Sequence, residues 1–226
     1  MSEEIQDPDP APIEFKAPLQ AVTDAQVAEW EWKNDIRPRL ITSSLDPRFW
    51  RDIQDWGCKR QEDAYRQATG LCRGTGAIVA LVGKRGAGKT TIAAQMIIDR
   101  VKRWAEPPHD PPSPYRKLSE LIARFKSLYA DFGSVETDQL LSALKAICSH
   151  RFLVIDEIHE CDDQKMKTRV LTDLLDRRYA RLKDTLIVSN QTPQEFQAST
   201  SDSILSRLGE HGAIIPCNWQ SWREKH

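Results

Sequence analysis

Gly83-Lys84-Arg85-Gly86-Ala87-Gly88-Lys89-Thr90 decides the fold of this chain. The eight residues match G-x-x-x-x-G-K-[ST] in full. They stand between a short apolar run, Ala77 to Val82, and a stretch from Thr90 to Arg103 with apolar residues at helical spacing. Continuous apolar runs of this length form buried parallel strands. Strand, loop and helix together predict a phosphate loop, because glycines at 83, 86 and 88 let the backbone turn its N–H groups inward and the helix start adds a positive dipole end. On this reading Gly83 to Thr90 and the following Thr91 line a nucleoside triphosphate, ATP, together with Mg²⁺. Lys89 reaches its β- and γ-phosphates, and Thr90 places a hydroxyl on the Mg²⁺ that bridges them.

Working outward, the bulk of the chain sets the setting. A length of 226 residues suits one domain plus an appendage. Lys and Arg total 32 against 33 for Asp and Glu, so no global positive field advertises nucleic acid, and any such contact is a local patch. Cys58, Cys72, Cys148, Cys161 and Cys217 are odd in number, scattered and without a C-x-x-C pair, which argues against a disulfide framework and a zinc site. No apolar stretch is long enough to span a membrane, and the acidic start Met1-Ser2-Glu3-Glu4 is unlike a signal peptide. The expected location is the cytoplasm.

Residues 1–40 read as a flexible N-terminal arm, proline-rich and acidic at its start, with a short helix from Thr23 that carries Trp30 and Trp32 and stops before Pro38. Those tryptophans either dock on the chain's own core or anchor a partner. Residues 41–226 form the folded domain. Asp46-Pro47 opens a helix expected to run to about Thr69, and Glu106 to Pro114 holds five prolines and reads as an exposed loop. Leu118, Leu121, Ile122, Phe125 and Leu128 recur at helical spacing, and residues 138–147 supply another amphipathic segment. Phe152 to Ile155 and Leu186 to Val188 are two further buried strands, separated by a basic-faced helix from about Lys165 to Leu182. Such alternation predicts a three-layer α/β fold with a parallel sheet between helices.

Asp156-Glu157 ends the second of these strands. A carboxylate at the C-terminal edge of a parallel sheet lies opposite the phosphate loop, so Asp156 is expected to hold Mg²⁺ and Glu157 to accept the proton of an attacking water. Hydrolysis is thereby favoured over phosphoryl transfer to a metabolite. Asn190, at the end of the next strand, can orient that water. Arg207, in Ile204-Leu205-Ser206-Arg207-Leu208, is either a surface residue or one that reaches a neighbour's γ-phosphate.

The blocks G-K-R-G-A-G-K-T, L-V-I-D-E, L-I-V-S-N-Q-T, I-L-S-R-L and N-W-Q-S-W-R, in this order over about residues 45–223, resemble the DnaC/IstB-like group of AAA+ ATPases. That group includes replicative-helicase loaders of bacteria and phages and the ATPase helpers of certain transposons. The resemblance implies an AAA+ type P-loop NTPase without a C-terminal helical lid. It assigns Gly83 to Thr90 as Walker A, Asp156 and Glu157 as Walker B, Asn190 as sensor 1, Arg207 as an arginine finger acting on a neighbouring copy, and Arg223 as a nucleotide-proximal arginine. It also implies a hexameric replicative DNA helicase as partner, with single-stranded DNA gripped by the segment from Leu118 to Tyr129. There Arg116, Lys117, Arg124 and Lys126 with Phe125 and Tyr129 supply charge and stacking; the alternative is an amphipathic helix with a solvated basic face. The proline-rich loop and a short arm without zinc-binding cysteines depart from the family's pattern. A transposition helper acting on duplex DNA and, from another class, a P-loop small-molecule kinase are the competing readings.

Overall fold

The computed structural model of the protein describes residues 37–50, 53, 56–103, 114–130, 142, 144–158 and 163–220. The helix expected from Thr23 lies outside them, as do most of the proline-rich loop, residues 131–141 and Arg223.

Five strands make one sheet: β1 (Ile78–Val82), β2 (Tyr115–Lys117), β3 (Phe152–Asp156), β4 (Asp184–Ser189) and β5 (Ala213–Pro216). Their order is β2-β3-β4-β1-β5, and every pairing is parallel. β1, β3 and β4 are buried along their whole length, as strands covered on both faces must be. The period of two sorts their side chains into two cores. Val79, Leu81, Val154, Leu186 and Val188 face one layer of helices, formed by α1 (Arg37–Ser43), α2 (Lys59–Leu71) and α3 (Lys89–Arg103). Ile78, Ala80, Val82, Leu153, Ile155 and Ile187 face the other, with α4 (Leu118–Ala130), α5 (Gln164–Tyr179), α6 (Pro193–Ser199) and α7 (Asp202–His211). The three-layer α/β architecture with a parallel sheet is therefore present.

Two local readings change. The single helix expected from Asp46 to Thr69 is instead a 3-10 turn at Pro47–Phe49 followed by α2. Asp46 caps the turn by accepting from the Arg48 amide at 3.0 Å, and Gly57 precedes the extended Cys58 that begins α2. The edge strands β2 and β5 are short: β2 is Tyr-Arg-Lys, without an apolar run, and β5 is four residues, Ala-Ile-Ile-Pro, ending in proline. An edge strand is covered less and can do without the pattern that marks a central one. The core also reaches back to the fully buried Leu40, just before the expected start of the folded part.

Candidate nucleotide site

β1 delivers the chain into the glycine-rich loop at the C-terminal edge of the sheet, and α3 leaves it at Lys89. Gly83 has φ 149° and its α-carbon lies against the backbone of Cys217, so a side chain there would strike the Cys217 carbonyl. Gly88 has φ 73°, and the Gln61 amide fills the place where a β-carbon would stand. Gly83 needs glycine for conformation and for space, Gly88 for conformation, since the tip of the Gln61 side chain can move aside. The indole N–H of Trp219 donates to the Ala87 carbonyl at 2.8 Å, so the segment after β5 braces the loop from outside.

Lys89 is buried, with 4 % of its surface exposed. Its ammonium donates to the carbonyls of Gly83 at 2.6 Å and Lys84 at 2.8 Å. Burial pushes its pKa down; the nearby Cys217 and Asp156 pull it back up, and Arg85 lowers it further. A cation removed from water and held by these neutral oxygens gains most from an anion placed beside it. The first-turn amides of α3 have no carbonyl one turn earlier to accept them, so the same spot offers N–H donors.

Across the edge, Thr90 Oγ1 donates to Asp156 Oδ2 at 3.0 Å, joining the loop to β3. Tyr115 in β2 donates its hydroxyl to the same oxygen at 2.5 Å, and the Glu157 amide donates to Asp156 Oδ1 at 2.6 Å. Burial raises the Tyr115 pKa, with Asp156 adding to the effect, so the phenol remains a donor. Glu157 has φ 58°, a left-handed conformation rare outside glycine and asparagine. Its carboxylate pairs with Lys117 Nζ at 2.9 Å. Thr90 and Asp156 together present hard oxygen donors beside the loop, the donor type that suits Mg²⁺ completed by phosphate and water. Among the described residues no cluster of three or more His, Cys, Asp or Glu forms a ready-made metal cage.

The other sequence candidates fall as follows. Lys84 and Arg85 are exposed on the loop, Ala87 is buried beneath it, and Gly86 and Thr91 are half-buried. Asn190 follows β4, which lies between β1 and β3, and its neighbour Ser189 pairs with Val82 and accepts from the Gly83 amide at 3.3 Å. Arg207 is on α7, where it pairs with Asp176 at 3.0 Å, donates to the Ser203 carbonyl at 2.9 Å and lies 5.6 Å from the Tyr179 ring centre. The proposed DNA grip is thinner than its composition suggested. Phe125 is a core residue with 3 % exposure and cannot stack a base, and Arg116 donates to the carbonyls of Tyr115 and Ser43. Lys117 holds Glu157, while Lys126, exposed, pairs with Asp163 at 3.4 Å. Arg124 is exposed. Sequence reading missed Tyr115, Trp219 and the pairing role of Lys117. Tyr115 and Lys117 follow the proline-rich loop with no motif around them; Trp219 lies in a block already noted for its resemblance.

Residues 75–207 match the AAA domain family. The replicative helicase loader DnaC of Escherichia coli K12 is 23% identical over 144 residues, covering 63% of this chain and 55% of that protein. This chain thus aligns with about half the length of that relative. Among solved structures, the DnaC helicase loader gives a TM-score of 0.57 at 19% identity, with 76% of this chain and 99% of that one covered. The replication initiator DnaA bound to AMPPCP and single-stranded DNA gives 0.58 at 16% identity, over 78% of this chain and 52% of that one.

Proposed function

Because the chain belongs to the AAA domain family, we propose that it is an ATP-binding and ATP-hydrolysing helicase loader, which assembles with a replicative DNA helicase and single-stranded DNA during DNA replication. The resemblance to the DnaC/IstB-like group is borne out by the matches to DnaC, and the loader role extends that relationship to this chain. One observation carries the catalytic half of the reading: a buried ammonium, Lys89, seated on loop carbonyls beside the Thr90–Asp156 bridge.

On this proposal Lys89 exchanges its two carbonyl partners for the β- and γ-phosphate oxygens of ATP. Thr90 and Asp156 hold Mg²⁺, which when bound neutralises charge on the phosphates. Glu157 takes the proton of the attacking water once Lys117 releases it, and Asn190 orients that water from the next strand. Arg207 leaves Asp176 to reach the γ-phosphate of a neighbouring copy, which makes hydrolysis depend on assembly. Arg223 contacts the nucleotide from the C-terminal segment, and the N-terminal arm engages the helicase. Arg124 and Lys126 on α4 contact the DNA backbone. The family match favours ATP hydrolysis over a small-molecule kinase.

The test is co-elution of the full chain with a hexameric replicative helicase in the presence of Mg-ATP, together with an ATPase assay. A complex that requires ATP and is lost in Lys89→Ala is expected. Co-purification with a transposase in place of a helicase selects the transposition helper, and absence of ATP turnover under every condition removes the enzyme.

A further inference from the structure

β2 is three residues long, Tyr115-Arg116-Lys117, yet two of them end on the acidic pair that closes the neighbouring strand. Its register against β3 sets Tyr115 beside Val154 and Lys117 beside Asp156, and the period of two puts both side chains on one face of the sheet. Lys117 takes Glu157, and Tyr115 takes Asp156. We propose that Tyr115 is a positioning residue for the cation that accompanies the nucleotide: its hydroxyl fixes the Asp156 carboxylate and, through it, the Thr90 hydroxyl. The inference rests on the reading of Thr90 and Asp156 as the holders of Mg²⁺.

Counting acceptor sites carries the argument. Asp156 is buried, with 4 % of its surface exposed, and forms no ion pair with a described residue. Three neutral donors hold it instead. Tyr115 donates to Oδ2 at 2.5 Å, Thr90 Oγ1 to the same oxygen at 3.0 Å, and the Glu157 amide to Oδ1 at 2.6 Å. An ionised carboxylate has about four acceptor sites, two on each oxygen. Oδ2 is therefore full, and one site remains on Oδ1. A hydroxyl has a single proton, and that of Thr90 is committed to Oδ2, so what Thr90 presents to a cation is its lone pairs. A buried carboxylate with no cation of its own, an acceptor site still open and a threonine oxygen whose proton is already used all suit a hard divalent ion.

The Tyr115 ring packs against the same core as Val154, a role that phenylalanine fills equally well. The hydroxyl is the part that bears on Asp156. Without it Oδ2 keeps only the Thr90 bond, and the carboxylate gains freedom to turn and exchange partners. Groups that bond the far side of a metal-binding side chain orient it, and losing one typically costs about tenfold to a hundredfold in metal affinity.

Calorimetry on the full-length protein with AMPPCP, a non-hydrolysable ATP analogue, is run in Mg²⁺ and in EDTA. Mg²⁺ is expected to tighten wild-type binding. In Tyr115→Phe that gain should shrink about tenfold, whereas affinity in EDTA, which reads the loop and Lys89, should change by less than about twofold. A tyrosine that merely supports the fold would lower both affinities together and lower the melting temperature, which is measured alongside. An unchanged Mg²⁺ gain in Tyr115→Phe, or an equal loss with and without metal, overturns the proposal and leaves the nucleotide site standing. A wild type that binds AMPPCP with no Mg²⁺ gain removes Thr90 and Asp156 as metal holders and this role of Tyr115 with them; one that binds no AMPPCP removes the nucleotide site itself.

Discussion

Arg178 at the starting edge of the sheet and Lys89 at its finishing edge are both buried cations without a carboxylate bonded to them, yet they are held differently. Arg178 is fully buried and donates to Thr185 Oγ1, to the carbonyls of Ile147 and His150 at 2.9 Å, and to that of Asp184. These bonds join α5 to the segment before β3 and to β4. Burial pushes its pKa down to about 10, so it remains charged at neutral pH. Lys89 has two bonds, both to carbonyls five and six residues away in its own loop. A forked cation that saturates its acceptors across several elements builds the fold, whereas a point charge with partners only in its own loop is available for a ligand.

The contrast breaks most visibly at Arg178. Arg178→Ala orphans four buried acceptors and should cost about 4 kcal/mol or more in urea denaturation, a large part of a domain's stability. Equal stability would mean that water replaces the guanidinium without loss. Lys89→Ala should do the reverse: ATP affinity falls by roughly a hundredfold or more in equilibrium binding, while the denaturation midpoint hardly moves. Unfolding in that variant would make Lys89 a structural cation like Arg178. Glu157→Gln should bind ATP normally and slow steady-state hydrolysis by about a hundredfold. Wild-type turnover would leave Glu157 as only the partner of Lys117. The smallest effect belongs to Lys117→Ala. Its pair with Glu157 is partly exposed, so stability should change by less than about 1 kcal/mol. Hydrolysis should rise a few-fold, by about that order, because the freed carboxylate is a better base; a fall would mean that Lys117 positions Glu157 for its task.

The finishing edge was the more legible of the two. Gly83, Gly88, Lys89 and Thr90 occupy fixed spacings because a backbone cradle has one workable geometry, and Asp156 announces itself at the end of an apolar strand. Arg178 had no such signal. On a helix rich in arginine, its burial depends on where the segment around Ile147 and the start of β4 come to lie. Phe125 shows the opposite error, since its place among basic residues suggested base stacking while its helical period already placed it in the core.

The order of apolar runs, turns and glycines was enough to determine the layered α/β fold and the glycine-rich loop between β1 and α3, because local conformation and period-two burial are written in neighbouring residues. Tertiary structure alone decided that Lys117 would hold Glu157, that Tyr115 would bond Asp156, and that Trp219 would brace Ala87. Those contacts join residues far apart in the chain, and the side-chain types involved fit many environments equally well until packing brings their partners within reach.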